Sequence, residues 1–376
     1  MKRLMFVFLA MLIFAGCWDK IEIEDRIFVY GIAIDKVSNE LNKSKGPFYE
    51  YVNENIEVTF LIPNPSKVVS GEQNVFENIT VRAGSIPEAI EKVFKKQNRH
   101  LFFGHEKLLI LGEAVLRDDK ILKEIVDWID RDPQKNRSSF VVATKDIKGI
   151  INITPKLEKL LVPYIIGTLK NQEEVSTLLN IDFNGFVSNF KVNGVAILPI
   201  INKVKDEGVI KNVFLIKDYK LLKEVDDRYI RGYSILTNSL KGGRKLFKYK
   251  DHVLSYLISN SHASLEAKEE DGKINFNVKV KMEGDIEDFI LNEDLLKADI
   301  VHNIEKSIKE QFENELYETV RYFQDTGYDY LKLKDWTKKH QYSLYKKYEK
   351  NWDEAFKTAK FNFDFEVKIR RVGVVR

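Results

Sequence analysis

Cysteine is all but missing: Cys17 is the one thiol in 376 residues. No disulfide can form within the chain, so packing alone must hold the fold. An excess of either charge is missing too. The chain has 60 basic and 57 acidic residues, a formal +3 that falls to +1 once Lys2 and Arg3 are removed. Nucleic acid as the main partner is excluded on that ground, because phosphate binding needs a concentrated basic surface. Catalytic signatures are also absent. There is no Gly-x-x-x-x-Gly-Lys loop, no Gly-x-Gly-x-x-Gly, no Gly-x-Ser-x-Gly elbow and no His-Glu-x-x-His. Nothing in the pattern calls for a cofactor or a metal, and the chain reads as a non-enzyme.

Cys17 gains meaning from its position. Lys2 and Arg3 precede twelve uninterrupted apolar residues, Leu4 to Ala15. As a helix that run is about 18 Å long, short of the ~30 Å hydrocarbon core of a bilayer. A secretory signal peptide over residues 1–16 is the better reading. The run ends Phe14-Ala15-Gly16-Cys17, which resembles a bacterial lipobox, with Phe14 where an aliphatic residue is usual. Cleavage between Gly16 and Cys17 would make the cysteine the first mature residue and the acceptor of diacylglycerol. Two acyl chains hold a protein stably where one does not. Residues 17–25 then form an acidic tether.

The mature body alternates helix and strand. In "RIFVYGIAIDK" apolar side chains fall on both parities, a strand buried on both faces. A second strand spans 55–62. Ser85 and Pro87 start a helix, "HEKLLILG" is a buried strand, and a helix runs to about Asp130 before the strand "SSFVVAT". "VNGVAILPII", "VFLIKDY" and "RYIRGYSILTN" read as strands, the last as a hairpin with "FKYKDHVLSYLIS" through Gly242-Gly243. Beyond residue 262, a hairpin turns at Asp271-Gly272. A long helix then carries Leu296, Ile300, Ile304, Ile308, Phe312, Leu316 and Val320 at i+4 spacing, with Gly327 as its stop. A second helix holds Trp336 to Phe356, and "FNFDFEVKIRR" closes an antiparallel sheet. The fold class is α+β, in three α/β-type domains: 26–185, a β-rich 186–258 whose strands pair back on the first strand, and 259–376. Mixed or antiparallel sheets carry helices on one face.

Several polar groups invite a functional reading. His100 and His105 bracket a strand start and lack a third metal ligand. Asp130, Arg131 and Asp132 read as a helix end with a local ion pair rather than an acid–base pair. Lys241, Arg244, Lys245, Lys248 and Lys250 read as a solvated hairpin, with anionic lipid headgroups as the alternative. The sequons at Asn78 and Asn152 carry no weight. Tyr345, Tyr348, Trp352 and Phe356 have the spacing of a core, with a partner-binding face as the alternative.

Four stretches together resemble one family. They are "GCWDKIEIEDRIFVYGIAIDK", "RHLFFGHEKLLILGE", "WIDRDPQKNRSSFVVA" and the closing "YEKNWDEAFKTAKFNFDFEVKIRRVGVV". In this order, from Cys17 almost to Arg376, they are similar to the Ger(x)C or GerAC spore germination lipoproteins. "QDTGYDYLKLKDW" is looser than the family's usual Asp, Gly and Trp-Lys region. The resemblance implies a non-catalytic, lipid-anchored C subunit of a nutrient germinant receptor. It implies polytopic A and B subunits as partners and a place on the outer face of the spore inner membrane. The alternative is a solute-binding lipoprotein of a transporter, which would show two doubly wound lobes.

Overall fold

The computed structural model describes residues 22–37, 54–64, 67, 69, 75–132, 135–287 and 297–372. Cys17, the signal segment, Leu296 and Pro133 lie outside the described residues.

The opening strand is in fact two, β1 (Arg26–Phe28) and β2 (Gly31–Lys36). The chain changes partners between them. Val29 N–H donates to Phe102 O at 3.0 Å, whereas Tyr30 N–H donates to Leu61 O at 3.0 Å. The elements that follow are β3 (Ile56–Pro63), β4 (Phe76–Ala83), α1 (Ile86–Phe94), β5 (His100–Phe102), β6 (Leu108–Gly112), α2 (Glu113–Leu116), α3 (Asp119–Arg131) and β7 (Phe140–Thr144). Next come α4 (Ile147–Ile151), α5 (Leu161–Lys170), α6 (Phe183–Asn193), β8 (Val195–Val204), β9 (Glu207–Lys217) and β10 (Lys220–Val225).

β1 pairs parallel with β5 as a separate ribbon. The rest form one sheet in the order β10-β9-β8-β7-β6-β2-β3-β4. Its centre, β8-β7-β6-β2, is parallel, and both flanks are antiparallel. Parallel centres need cover on both sides, and the sequence supplies two apolar parities. Ile32, Ile34, Leu109, Leu111 and Val141 pack with α1, α3 and α6. Ala33, Leu108, Ile110 and Val142 pack with α4 and α5 on the opposite face.

The stretch 186–258, expected as a β-rich middle unit, is divided between two sheets. Strands β8 to β10 extend the large sheet, and β8 pairs with β7 rather than with the first strand. "RYIRGYSILTN" is a helix, α7 (Arg228–Leu236), not a strand. Asp226 Oδ1 accepts from Arg228 N–H at 3.0 Å at its start. Ile230 and Tyr233, three apart, then share the buried side, a helical spacing that mixed parity concealed.

The second sheet contains β11 (Gly243–Tyr249), β12 (His252–Glu270), β13 (Lys273–Ile286) and β14 (Lys360–Val372), in that order. Asp271 and Gly272 both have positive φ, 53° and 72°, the two-residue turn that a right-twisted hairpin favours. Between β13 and β14 lie α8 (Ala298–Thr326), α9 (Leu333–His340), α10 (Tyr342–Tyr348) and α11 (Trp352–Thr358). The expected single helix from Trp336 to Phe356 is therefore three, broken at Gln341, whose φ and ψ are −143° and 63°. These helices carry the chain back across the sheet. β14 therefore enters parallel to β13, and the expected antiparallel sheet is mixed. Ile304, Ile308, Phe312, Leu316 and Val320 of α8 are buried, with Phe312 stacked on Phe365 at 5.7 Å.

One apolar core runs through both sheets. At the junction α7 crosses α8, with Tyr229 stacked on Tyr322 at 4.2 Å and Arg231 paired to Glu315 at 2.8 Å. Gly232 makes the crossing close, since a Cβ there would lie 2.2 Å from Thr319 Oγ1. Gly232→Ala is expected to cost about 1–3 kcal/mol in urea unfolding by forcing the helices apart. Gly167→Ala is the control. It sits in α5 with nothing within 4 Å of its Cβ position, and should be neutral or stabilising.

Candidate functional site

A cleft of 1620 Å³ opens where the described chain begins. The β1–β5 ribbon forms one wall and the ends of β3 and β4 the other. Ile27, Phe28, Tyr30, Ile62 and Phe76 give it an apolar floor, with Glu24, Arg26, Glu77, Arg99 and His105 at its polar margin. The Arg26 guanidinium lies 4.6 Å from the Phe102 ring centroid. His105 packs its ring 5.3 Å from Phe28 and 5.7 Å from Phe102. His100 goes elsewhere and contacts Phe94 at 5.4 Å. The two histidines therefore do not converge. Among the described residues no group of three His, Cys, Asp or Glu side chains could hold a metal ion.

Next to His105 in the chain, Glu106 forms a fully buried ion pair with Lys135. Glu106 sits in the turn before β6, Lys135 in the turn before β7. The Lys135 ammonium is 3.6 Å from the Trp128 ring centroid and 4.5 Å from that of Phe103, a cation–π cage in a dry site. Asn136 Nδ2 and Ser139 Oγ both donate to the Glu106 carbonyl. Burial pushes the Glu106 carboxyl up and the Lys135 ammonium down, and each is held back by the other's charge. Glu106 Oε1 has no hydrogen-bond partner among the described residues. Sequence reasoning passed over both residues because neither falls in a catalytic pattern. The signal was a charge of each sign beside runs of apolar residues.

The other singled-out groups are structural. Asp130 pairs with Lys191 at 2.7 Å and Arg137 at 3.5 Å, while Arg131 reaches Asp127 at 3.7 Å. The helix thus ends at Arg131 with a local ion pair to Asp127, while Asp130 pairs outside its helix. In the basic cluster, Arg244 pairs with Glu287 at 2.7 Å and also with Glu174, and Lys245 pairs with Glu315. These charges fasten β11 to its neighbours. Tyr345, Tyr348, Trp352 and Phe356 are all buried. Trp352 Nε1 donates to Asp329 Oδ2 at 3.1 Å, and Tyr348 OH to Gly272 O at 3.1 Å. No helix among the described residues is long and apolar enough to cross a membrane.

Residues 19–203 match the family described as spore germination protein N-terminal domain. Residues 211–373 match the one described as spore germination B3/GerAC like, C-terminal. The chain belongs to the GerAC family of spore germination proteins. Spore germination protein B3 of Bacillus subtilis is 24% identical over 98% of this chain and 97% of its own length. Spore germination protein KC of the same organism is 23% identical over 97% and 94%. The crystal structure of the GerBC protein shares the fold, with a TM-score of 0.59 at 18% identity, over 85% of this chain and 96% of that one.

In this GerAC-family chain the stretches that carry the resemblance touch one another. "RHLFFGHEKLLILGE" supplies Glu106, "WIDRDPQKNRSSFVVA" supplies Trp128, Lys135, Asn136 and Ser139, and the first stretch accepts Lys107 N–H at Tyr30 O, 2.8 Å away. The closing stretch supplies Trp352 to Asp329, whose carboxylate also accepts from Leu333 N–H at 3.2 Å and Lys334 N–H at 2.7 Å.

Lys135→Met strands a buried carboxylate and is expected to cost about 3–5 kcal/mol, whereas the Glu106→Leu/Lys135→Met pair recovers most of it. A double-mutant cycle in urea measures the coupling. Asp329 gives a pH signature. Burial pushes it up to about 6, against the pull of its three donors. The native state therefore keeps a proton that the unfolded chain releases. Its contribution is complete below about pH 4 and is lost as pH rises through about 6, a change on the order of 3 kcal/mol. Urea midpoints across that range should fall for wild type relative to Asp329→Asn.

Proposed function

We propose that this chain is the lipid-anchored, non-catalytic C subunit of a spore nutrient germinant receptor. Cys17 is its S-diacylglyceryl tether on the outer face of the spore inner membrane, and it acts through contacts with polytopic A and B subunits. The family match from residue 19 to residue 373 carries this reading. The start of the described chain supports the tether, because residues 22–25 are exposed. The solute-binding alternative calls for two doubly wound lobes. The described strands instead form one eight-stranded sheet with a parallel centre, one four-stranded sheet and the β1–β5 ribbon.

Nutrient-triggered loss of optical density tests the proposal in spores deleted for the gene and complemented with wild type or Cys17→Ala. Deletion should slow germination, and Cys17→Ala at matched protein level should fail to restore it. Equal rescue by both would remove the lipid from the mechanism. Normal germination of the deletion, with paralogues removed, would overturn the receptor reading.

A further inference from the structure

The two larger sheets have four edge strands: β4 and β10 in the eight-stranded one, β11 and β14 in the four-stranded one. An open edge is a template for another strand, and folded proteins blunt such edges. Three of the four are blunted here. β10 carries a register break between Leu221 and Lys223. β11 is capped by α8, since Lys248 N–H donates to Gln311 Oε1 at 3.1 Å and Lys248 O accepts from Gln311 Nε2 and Ser307 Oγ. β14 donates Ile369 N–H to Glu305 Oε1 at 2.9 Å. It also lines up Lys360, Asp364, Glu366, Lys368 and Arg370 along its exposed parity.

Among the described residues β4 carries one such bond, near its C-terminal end, where Lys92 Nζ of α1 donates to Arg82 O at 2.8 Å. Its eight residues pair with β3 without a register break and contain no proline. From Glu77 to Val81 no described residue bonds to its outer backbone. That edge borders the 1620 Å³ cleft, which Glu77, Asn78 and Ile79 help to line. At the cleft margin Arg99 has no ion-pair partner among the described residues. A strand laid along β4 would find backbone donors and acceptors, apolar wells at Phe28, Tyr30 and Ile79, and a cation for a carboxylate.

We propose that the β4 edge and its cleft receive an extended segment of a polytopic partner, added as a further strand with apolar side chains and an acidic one facing Arg99. The tether fixes which partners reach it. Five residues separate Cys17 from Ile23 on the cleft rim, six steps of chain that span at most about 21 Å when extended. The site is thereby held at the bilayer surface, where the loops of a membrane-embedded subunit emerge. Strand addition takes affinity from the backbone and specificity from alternate side-chain pockets. This deepens the receptor reading and rests on its tether.

The test uses the full-length chain in spores, with a photo-crosslinking amino acid at Asn98, which lines the cleft beside an intact Arg99, and, as a control, at Lys368 on the β14 edge. The expected result is a crosslink from position 98 to a loop of a polytopic receptor subunit, identified by its peptide. Asn78→Lys puts a charge on the open edge at an exposed position. It should weaken that crosslink about tenfold, with an unchanged urea midpoint for the soluble body. Crosslinks only from position 368, only to lipid, or none from position 98 in spores that still need this protein to germinate would overturn the edge proposal and leave the receptor reading standing. A deletion without phenotype would remove both.

Discussion

The pairing of Glu106 with Lys135 is the constraint on which the centre of the molecule depends. Parallel neighbours cannot be aligned by a tight turn, so tertiary bonds must fix where β6 and β7 start. The buried pair joins the two turns that precede those strands. Asn136 and Ser139 hold the Glu106 carbonyl, and Phe140 N–H donates to Lys107 O at 2.9 Å. Lys107 N–H in turn donates to Tyr30 O, which brings β2 to the same level. Leu108 thus faces Phe140 on one side and Gly31 on the other. A one-residue slip would exchange the two apolar faces that the helices cover. The desolvation of two charges is the cost of that register.

A second knot serves the smaller sheet. Asp329 closes the loop after α8 by accepting from two backbone N–H groups at the start of α9 and from the indole of Trp352. It thereby ties the loop after α8 to the start of α9 and to the start of α11. The junction between the sheets has a comparable centre in Glu315, which Arg231 grips at 2.8 and 3.1 Å and Lys245 approaches from β11. Arg231 also donates to Ser176 Oγ at 3.0 Å, and that hydroxyl donates to Arg244 O at 2.9 Å. Arg244 and Lys245, two of the basic residues read in sequence as a solvated hairpin, join β11 to its neighbours. The open β4 edge stands out against this economy of satisfied groups.

Legibility followed periodicity. The hairpin at Asp271-Gly272, the α8 stripe ending at Gly327 and the alternation of Phe361 to Val367 were plain because one face is buried and the other wet. Arg228–Leu236 misled because Tyr, Ile and Arg suit a strand as well as a short helix, and only its packing against Thr319 and Tyr322 decides. β4 was passed over, since Glu77, Asn78 and Thr80 are exposed along an edge and leave a weak apolar signal. The cleft could not be read at all, because its walls come from strands as far apart in sequence as Phe28, Phe76 and His105.

The sequence by itself determined the elements whose pattern is local, and, through four ordered stretches, the family. It also determined that the one cysteine stands behind a signal-like run, which makes Cys17 the expected acceptor of a lipid. Tertiary structure alone decided that three of those stretches meet beside a buried ion pair, that β14 runs parallel to β13, and that among the described residues β4 is left unbonded on its outer side from Glu77 to Val81, beside a cleft. The reason is physical. Side-chain periodicity reports which face is buried, but burial of a charge, strand direction and a free backbone edge depend on what the rest of the chain brings alongside.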